Sequence, residues 1–188
     1  VLTRLPVNRD SSRRFKGEVL LQPKAYQKRF ASMGHHITAI LIRSAFNEAK
    51  AAEYDMRPVR LKQGLTLFHI DHYYSACWQH LPGIHSKLII PNEAAIAKIM
   101  RDVLWPNEPV YALITTDYFS GLGQQYGGVF KGIDNLNKSV DNINKALRYL
   151  GVRATQHQDE FDLIGLGAIR SQPDYLDKYS DLAEAYGV

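Results

Sequence analysis

Residues 109–131, PVYALITTDYFSGLGQQYGGVFK, constrain the fold more than any other stretch of this chain. Two runs rich in β-branched and aromatic residues flank Ser120-Gly121-Leu122-Gly123, and glycine supplies the positive φ angles that tight turns demand. The segment predicts an antiparallel hairpin, with Tyr111 to Phe119 running up and Gln124 to Lys131 running back. Gly127-Gly128 falls inside the return strand, where missing side chains mark a bulge or a close approach of other backbone.

Four glycines within eight residues also invite a nucleotide-binding reading. A dinucleotide fingerprint requires G-x-G-x-x-G after a strand and at the opening of a helix, so that amide N–H groups meet the pyrophosphate. Gly121 and Gly123 fill two positions, Tyr126 stands at the third, and Gly127-Gly128-Val129-Phe130 are poor helix formers. A P-loop fails for want of Gly-Lys-Ser/Thr. A kinase-type loop, whose strand context would suit, also needs glycine at 126.

What remains is a polar and aromatic rim. The candidate binding residues are Thr115, Asp117, Tyr118, Ser120, Gly121, Gly123, Gln124, Gln125, Tyr126 and Gly127. In a pleat Thr115 and Asp117 share one face with Phe119, while Thr116 and Tyr118 share the other. Asp117, beside aromatics, is a candidate proton carrier, its structural counterpart being a hydrogen-bonded aspartate at a strand end.

Around the hairpin, apolar patterning alternates between strand and helix periods. HHITAILIR, from His35, fills both faces of a pleat and reads as a central strand. Ser44 is placed to cap a short helix through Tyr54. LTLFHI (65–70) predicts a second strand, and HYYSACWQHL (72–81) a helix ended by Pro82-Gly83. KLII (87–90) predicts a strand before a helix whose buried face is Ile96, Ile99, Met100 and Val103.

After the hairpin, Ile133, Leu136, Val140, Ile143, Leu147 and Leu150 recur at helical spacing, with Gly151 as C-cap. The repeat is too short for a coiled-coil seam and predicts core packing. EFDLIGLGAIR (160–170) predicts a last strand. Ser171-Gln172-Pro173-Asp174 resembles a capping box for a final helix presenting Leu176, Tyr179, Leu182 and Tyr186, and ending at Gly187. The order from His35 is β-α-β-α-β-α-β-β-α-β-α. It implies an α/β (or α+β) fold, a mixed β-sheet covered by helices in one globular domain over 33–188.

Other side chains offer chemistry with weaker spacing. His69-Ile70-Asp71-His72 places imidazoles about a carboxylate, so His69, Asp71 and His72 are weak metal candidates, and Asp71 and His69 a reserve catalytic pair. The alternative for Asp71 is to cap the helix that follows. His35-His36, His80 and His85 also sit at element ends. Cys77, on an apolar stripe, reads as a small buried hydrophobe unless His80 activates it. Glu160 and Asp162 flank Phe161 as an acidic pair or a solvated strand start. No motif implies a cofactor.

Charge is distributed unevenly. Residues 1–32 hold eight basic residues against two acids, whereas the remainder holds fifteen against seventeen. This basic segment is either an arm able to meet nucleic-acid phosphates or sequence upstream of a native start at Met33. The single cysteine excludes an intrachain disulfide, and no apolar run reaches the ~20 residues of a membrane span. These features predict a soluble, cytoplasmic chain without membrane association. With no complete catalytic set and plentiful tyrosine, they point to a non-catalytic binding or regulatory module of inhibitor or immunity type. A protein partner is expected, and a homo-oligomer is compatible. The alternative is a small hydrolase or nucleotide-handling transferase using Asp117 and the glycine loop.

Overall fold

The computed structural model describes residues 34–79, 93–120 and 122–186. Among the described residues, six strands form one sheet in the order β2-β3-β1-β4-β5-β6. They are β1 (Gly34–Ile42), β2 (Pro58–Arg60), β3 (Thr66–His69), β4 (Val110–Phe119), β5 (Leu122–Lys131) and β6 (Asp134–Asn135). All five ladders are antiparallel, and an isolated parallel bridge joins His36 to Ser171. The helices are α1 (Glu48–Glu53), α2 (His72–Gln79), α3 (Glu93–Leu104), α4 (Ile143–Tyr149), α5 (Glu160–Leu163) and α6 (Asp177–Tyr186). Among the described residues no helix is long and apolar enough to cross a membrane.

β1 is central because both its faces are apolar, as its unbroken run predicts. Ile40 and Ile42 join a core with Phe68, Leu113 and Phe130, covered by Ala51 of α1, Tyr74 of α2, Leu176 and Tyr179 of the C-terminal region, and α3. The predicted stripe of α3, Ile96, Ile99, Met100 and Val103, is wholly buried there. Ile37, Ala39 and Leu41 face the opposite way, into a second core with Ala112, Ile114 and Val129. That core is closed by Ile143, Ala146 and Leu147 of α4 and by Ile164 and Leu166. The sheet is thus the middle of three layers.

Several local expectations are corrected. α1 is capped by Asn47, which accepts from Lys50 N at 3.0 Å, and Ser44 lies upstream. The helix expected from Ile133 starts only at Ile143. Five of residues 134–142 are Asp or Asn, which bond nearby backbone in competition with a helix. Accordingly Asp134–Asn135 pairs with β5, Asn137 accepts from Ser139 N and Oγ, and Asn142 caps α4. Ile133 is left 58% exposed, so the first part of its helical spacing has no structural counterpart.

The strand expected over 160–170 is instead α5 followed by a 3-10 turn at Leu166–Ala168. Asp159 caps α5 by accepting from Asp162 N at 2.9 Å, and Gly165 turns the chain at φ 79°. A short apolar run does not itself distinguish buried strand from buried helix. Ser171 bridges to β1 rather than capping, while α6 follows a 3-10 turn at Asp174–Leu176. The inner face there is Leu176, Tyr179 and Ala183, and Leu182 is exposed. The predicted strand at 87–90, the helix end at Pro82-Gly83, Gly187, Met33 and the basic segment 1–32 lie outside the described residues.

Candidate functional site at the hairpin

The β4–β5 ladder runs in unbroken register from Val110 opposite Lys131 to Phe119 opposite Leu122. The loop is therefore only Ser120 and Gly121, two residues shorter than expected, and the return strand contains no bulge. Ser120 takes φ 50°, and Gly121 lies outside the described residues. Gly127 serves the other predicted purpose, close approach: a Cβ there would stand 2.5 Å from Asn142 O and 2.9 Å from Ile143 N. The bare backbone at this point receives the start of α4, a contact within the chain.

Register divides the candidate residues between two faces. Thr115, Asp117, Gln124 and Tyr126 lie on the face of the first core, beyond its helices, beside Thr38 and His36 of β1. Phe119 and Leu122 share that face, so the predicted grouping of Thr115, Asp117 and Phe119 is present. Phe119, Leu122 and Tyr126 are 51%, 80% and 40% exposed. His36 Nδ1 lies 3.3 Å from Asp117 Oδ1, and the Asp117 side chain is 62% exposed. The aromatic enclosure expected of Asp117 is absent because its neighbours lie in an open sheet surface. Its face is also opposite to that of the Gly123 and Gly127 positions, which pair with Tyr118 and Ile114.

Tyr118, Gln125 and Thr116 belong to the second face. Gln125 Oε1 accepts from Ile143 N at 3.4 Å, tying the hairpin to α4. Thr116 Oγ1 accepts from Ile37 N at 3.1 Å and lies 2.8 Å from His35 Nδ1. His35 Nε2 is 3.3 Å from Leu166 O, a group that can only accept, so Nε2 carries the proton and Nδ1 accepts from the threonine hydroxyl. Phe161 covers the ring at 5.3 Å, and burial holds the His35 pKa below its ordinary value of 6.5. The adjacent histidines 35 and 36 thus have opposite fates, one half-buried and one in water.

The second constellation is separated by the end of β3. His69 is the last strand residue and is buried, whereas Asp71 stands at the start of α2. Its carboxylate accepts from Tyr74 N at 2.6 Å, the capping arrangement, and burial raises its pKa above 3.8. His72 stacks on Tyr73 with centroids 3.9 Å apart. Among the described residues no group of three or more His, Cys, Asp and Glu side chains is placed to hold a metal ion. Burial pushes the Cys77 thiol up, away from thiolate chemistry. His80 and His85 lie outside the described residues. Glu160 and Asp162 diverge because they sit on a helix: Glu160 is buried 3.5 Å from Arg148 Nε, and Asp162 is not.

Hollows of about 440, 370 and 470 Å³ lie elsewhere, beside Arg153, Met56 and Arg43. None of the three includes a residue of the hairpin face, whose described residues Phe119, Leu122 and Tyr126 are exposed on the sheet. Pairing adds His36 and Leu122 to the face on which the pleat already places Phe119 with Thr115 and Asp117. Strand pairing brings His36 to Asp117 across 81 positions of sequence, and the two-residue loop converts Leu122 from turn to strand. No protein family, curated protein or solved structure matches the chain.

Proposed function

We propose that this chain is a non-catalytic binding module whose hairpin face takes a protein partner. The observation that carries the reading is the joint exposure of Phe119, Leu122 and Tyr126 on one side of β4 and β5. Apolar and aromatic side chains gathered on an open surface gain free energy when a partner removes them from water. Thr115, Asp117, His36 and Gln124 surround them with polar groups able to fix orientation. The single cysteine suits a reducing, intracellular setting for such a module.

A photo-crosslinking amino acid at position 124 is expected to capture a discrete protein partner. The affinity measured for that partner is expected to fall about tenfold or more in Phe119→Ala/Tyr126→Ala. Tyr118→Ala, altered on the opposite face, serves as the control and retains binding. Equal affinities of the wild type and the double variant would remove the hairpin face from the binding site.

A further inference from the structure

We propose that the open edge of β5 pairs with the same edge of a second copy of this chain, about a twofold axis at Gln124. This inference rests on the hairpin as a docking surface and names its occupant.

The edge is defined by hydrogen-bond parity. The Val129 carbonyl points outward, where it accepts from Leu136 N, and orientation alternates along a strand. Gly127, Gln125 and Gly123 therefore turn their N–H and C=O groups outward, whereas Leu122, Gln124 and Tyr126 bond to β4. β6 covers only Phe130 and Lys131. The chain then returns past Gly127, which is buried against Asn142. Leu122 to Tyr126 remains: all five residues are exposed, and among the described residues no strand lies outside them.

An exposed edge is ordinarily blunted by lysine, proline, a bulge or a covering segment. The sequence LGQQY contains no charge and no proline, and its register is regular. Two copies set antiparallel with Gly123 opposite Gln125 exchange four N–H···O=C bonds. Gln124 then faces Gln124 of the other copy, and Leu122 stands opposite Tyr126 on both sides of the axis. The most exposed apolar residue of the hairpin thereby meets an aromatic ring twice, and no like charges are brought together. An unrelated extended peptide could use the same four backbone groups, but the Leu122–Tyr126 match is self-complementary.

Sedimentation of the full chain over a wide concentration range is expected to show a reversible monomer–dimer equilibrium. Leu122→Lys is expected to shift it to monomer without changing the far-UV circular dichroism or thermal midpoint. Gln124→Cys is expected to form an intermolecular disulfide on mild oxidation, because non-hydrogen-bonded partners in an antiparallel pair have Cα atoms about 4.5 Å apart. The wild type, with Cys77 alone, is the control for that crosslink. A monomer at every concentration with no Gln124→Cys crosslink would overturn the pairing. So would a dimer that survives Leu122→Lys, or one in which Gln124→Cys fails to crosslink. If Leu122→Lys does not fold, the crosslink decides by itself. Capture of a different protein by the photo-crosslinker, with a monomeric chain, would reject the dimer while retaining the hairpin face as a docking surface.

Discussion

Gln172 shows how much one side chain can organise. Its Nε2 donates to Thr38 O at 3.0 Å and to Ile70 O at 2.5 Å, which leaves Oε1 to accept from His69 Nδ1 at 2.8 Å. The amide joins β1 to the end of β3 and sets the His69 tautomer. Burial lowers the pKa of His69 and of His35 below 6.5. As pH falls through about 6.5 the unfolded chain takes up protons that the folded chain resists. The stabilisation is full above the unfolded pKa and is lost as pH falls through the folded values. Asp71 acts in the opposite sense in a more acidic window: its raised pKa contributes stability below 3.8 that is lost as pH rises through the folded value. The urea midpoint is expected to drop between about pH 7.5 and about pH 5.5, and the drop is expected to shrink in His35→Gln/His69→Gln. A flat wild-type profile over that interval would contradict the burial argument.

The hairpin was legible as an element, but its fine geometry was not. Alternating residues and turn glycines reveal two strands, whereas the shortness of the loop depends on the register at which Phe119 meets Leu122. Gly127 illustrates the difference: the chain requires glycine there because α4 begins against it, a contact with a segment fifteen residues away. Gly127→Ala would press Cβ onto the Asn142 and Ile143 backbone, which cannot rotate aside. Chemical denaturation is expected to register a loss of about 1–3 kcal/mol, the range for overpacking. A neutral result would require the start of α4 to move freely, and its Gln125 contact argues otherwise. The segments 133–142 and 160–170 depart from their apolar spacing for a related reason. Apolar spacing competes with Asx capping, and local hydrogen bonds prevail where Asn142 and Asp159 define the helix starts.

Both cores share β1, so the entire described fold should unfold as one cooperative unit. Ile40 enters the first core and Leu41 the second, each fully buried. Ile40→Ala and Leu41→Ala are each expected to cost about 2–5 kcal/mol. Trp78 packs against the first core, while Trp105 is exposed. Tryptophan fluorescence in Leu41→Ala should nevertheless shift with the circular-dichroism transition, because the two faces belong to one sheet. Separate midpoints for the two probes would mean that the layers melt independently.

Taken by itself, the sequence determined the central position of β1, the buried stripe of α3, the hairpin and a layered α/β architecture. Those features follow from hydrophobic period and turn chemistry, which are local. Tertiary structure decided that Gln124 and Tyr126 join Thr115 and Asp117 while Gln125 joins Tyr118, because cross-strand partners are defined only once register is set. It also decided the pairing of His36 with Asp117, the burial of His35, the use of Gln172 as a tie and the open edge at Leu122 to Tyr126. Each depends on which distant segment lies beside a strand, and hydrogen bonds between strands carry no periodic trace along the chain.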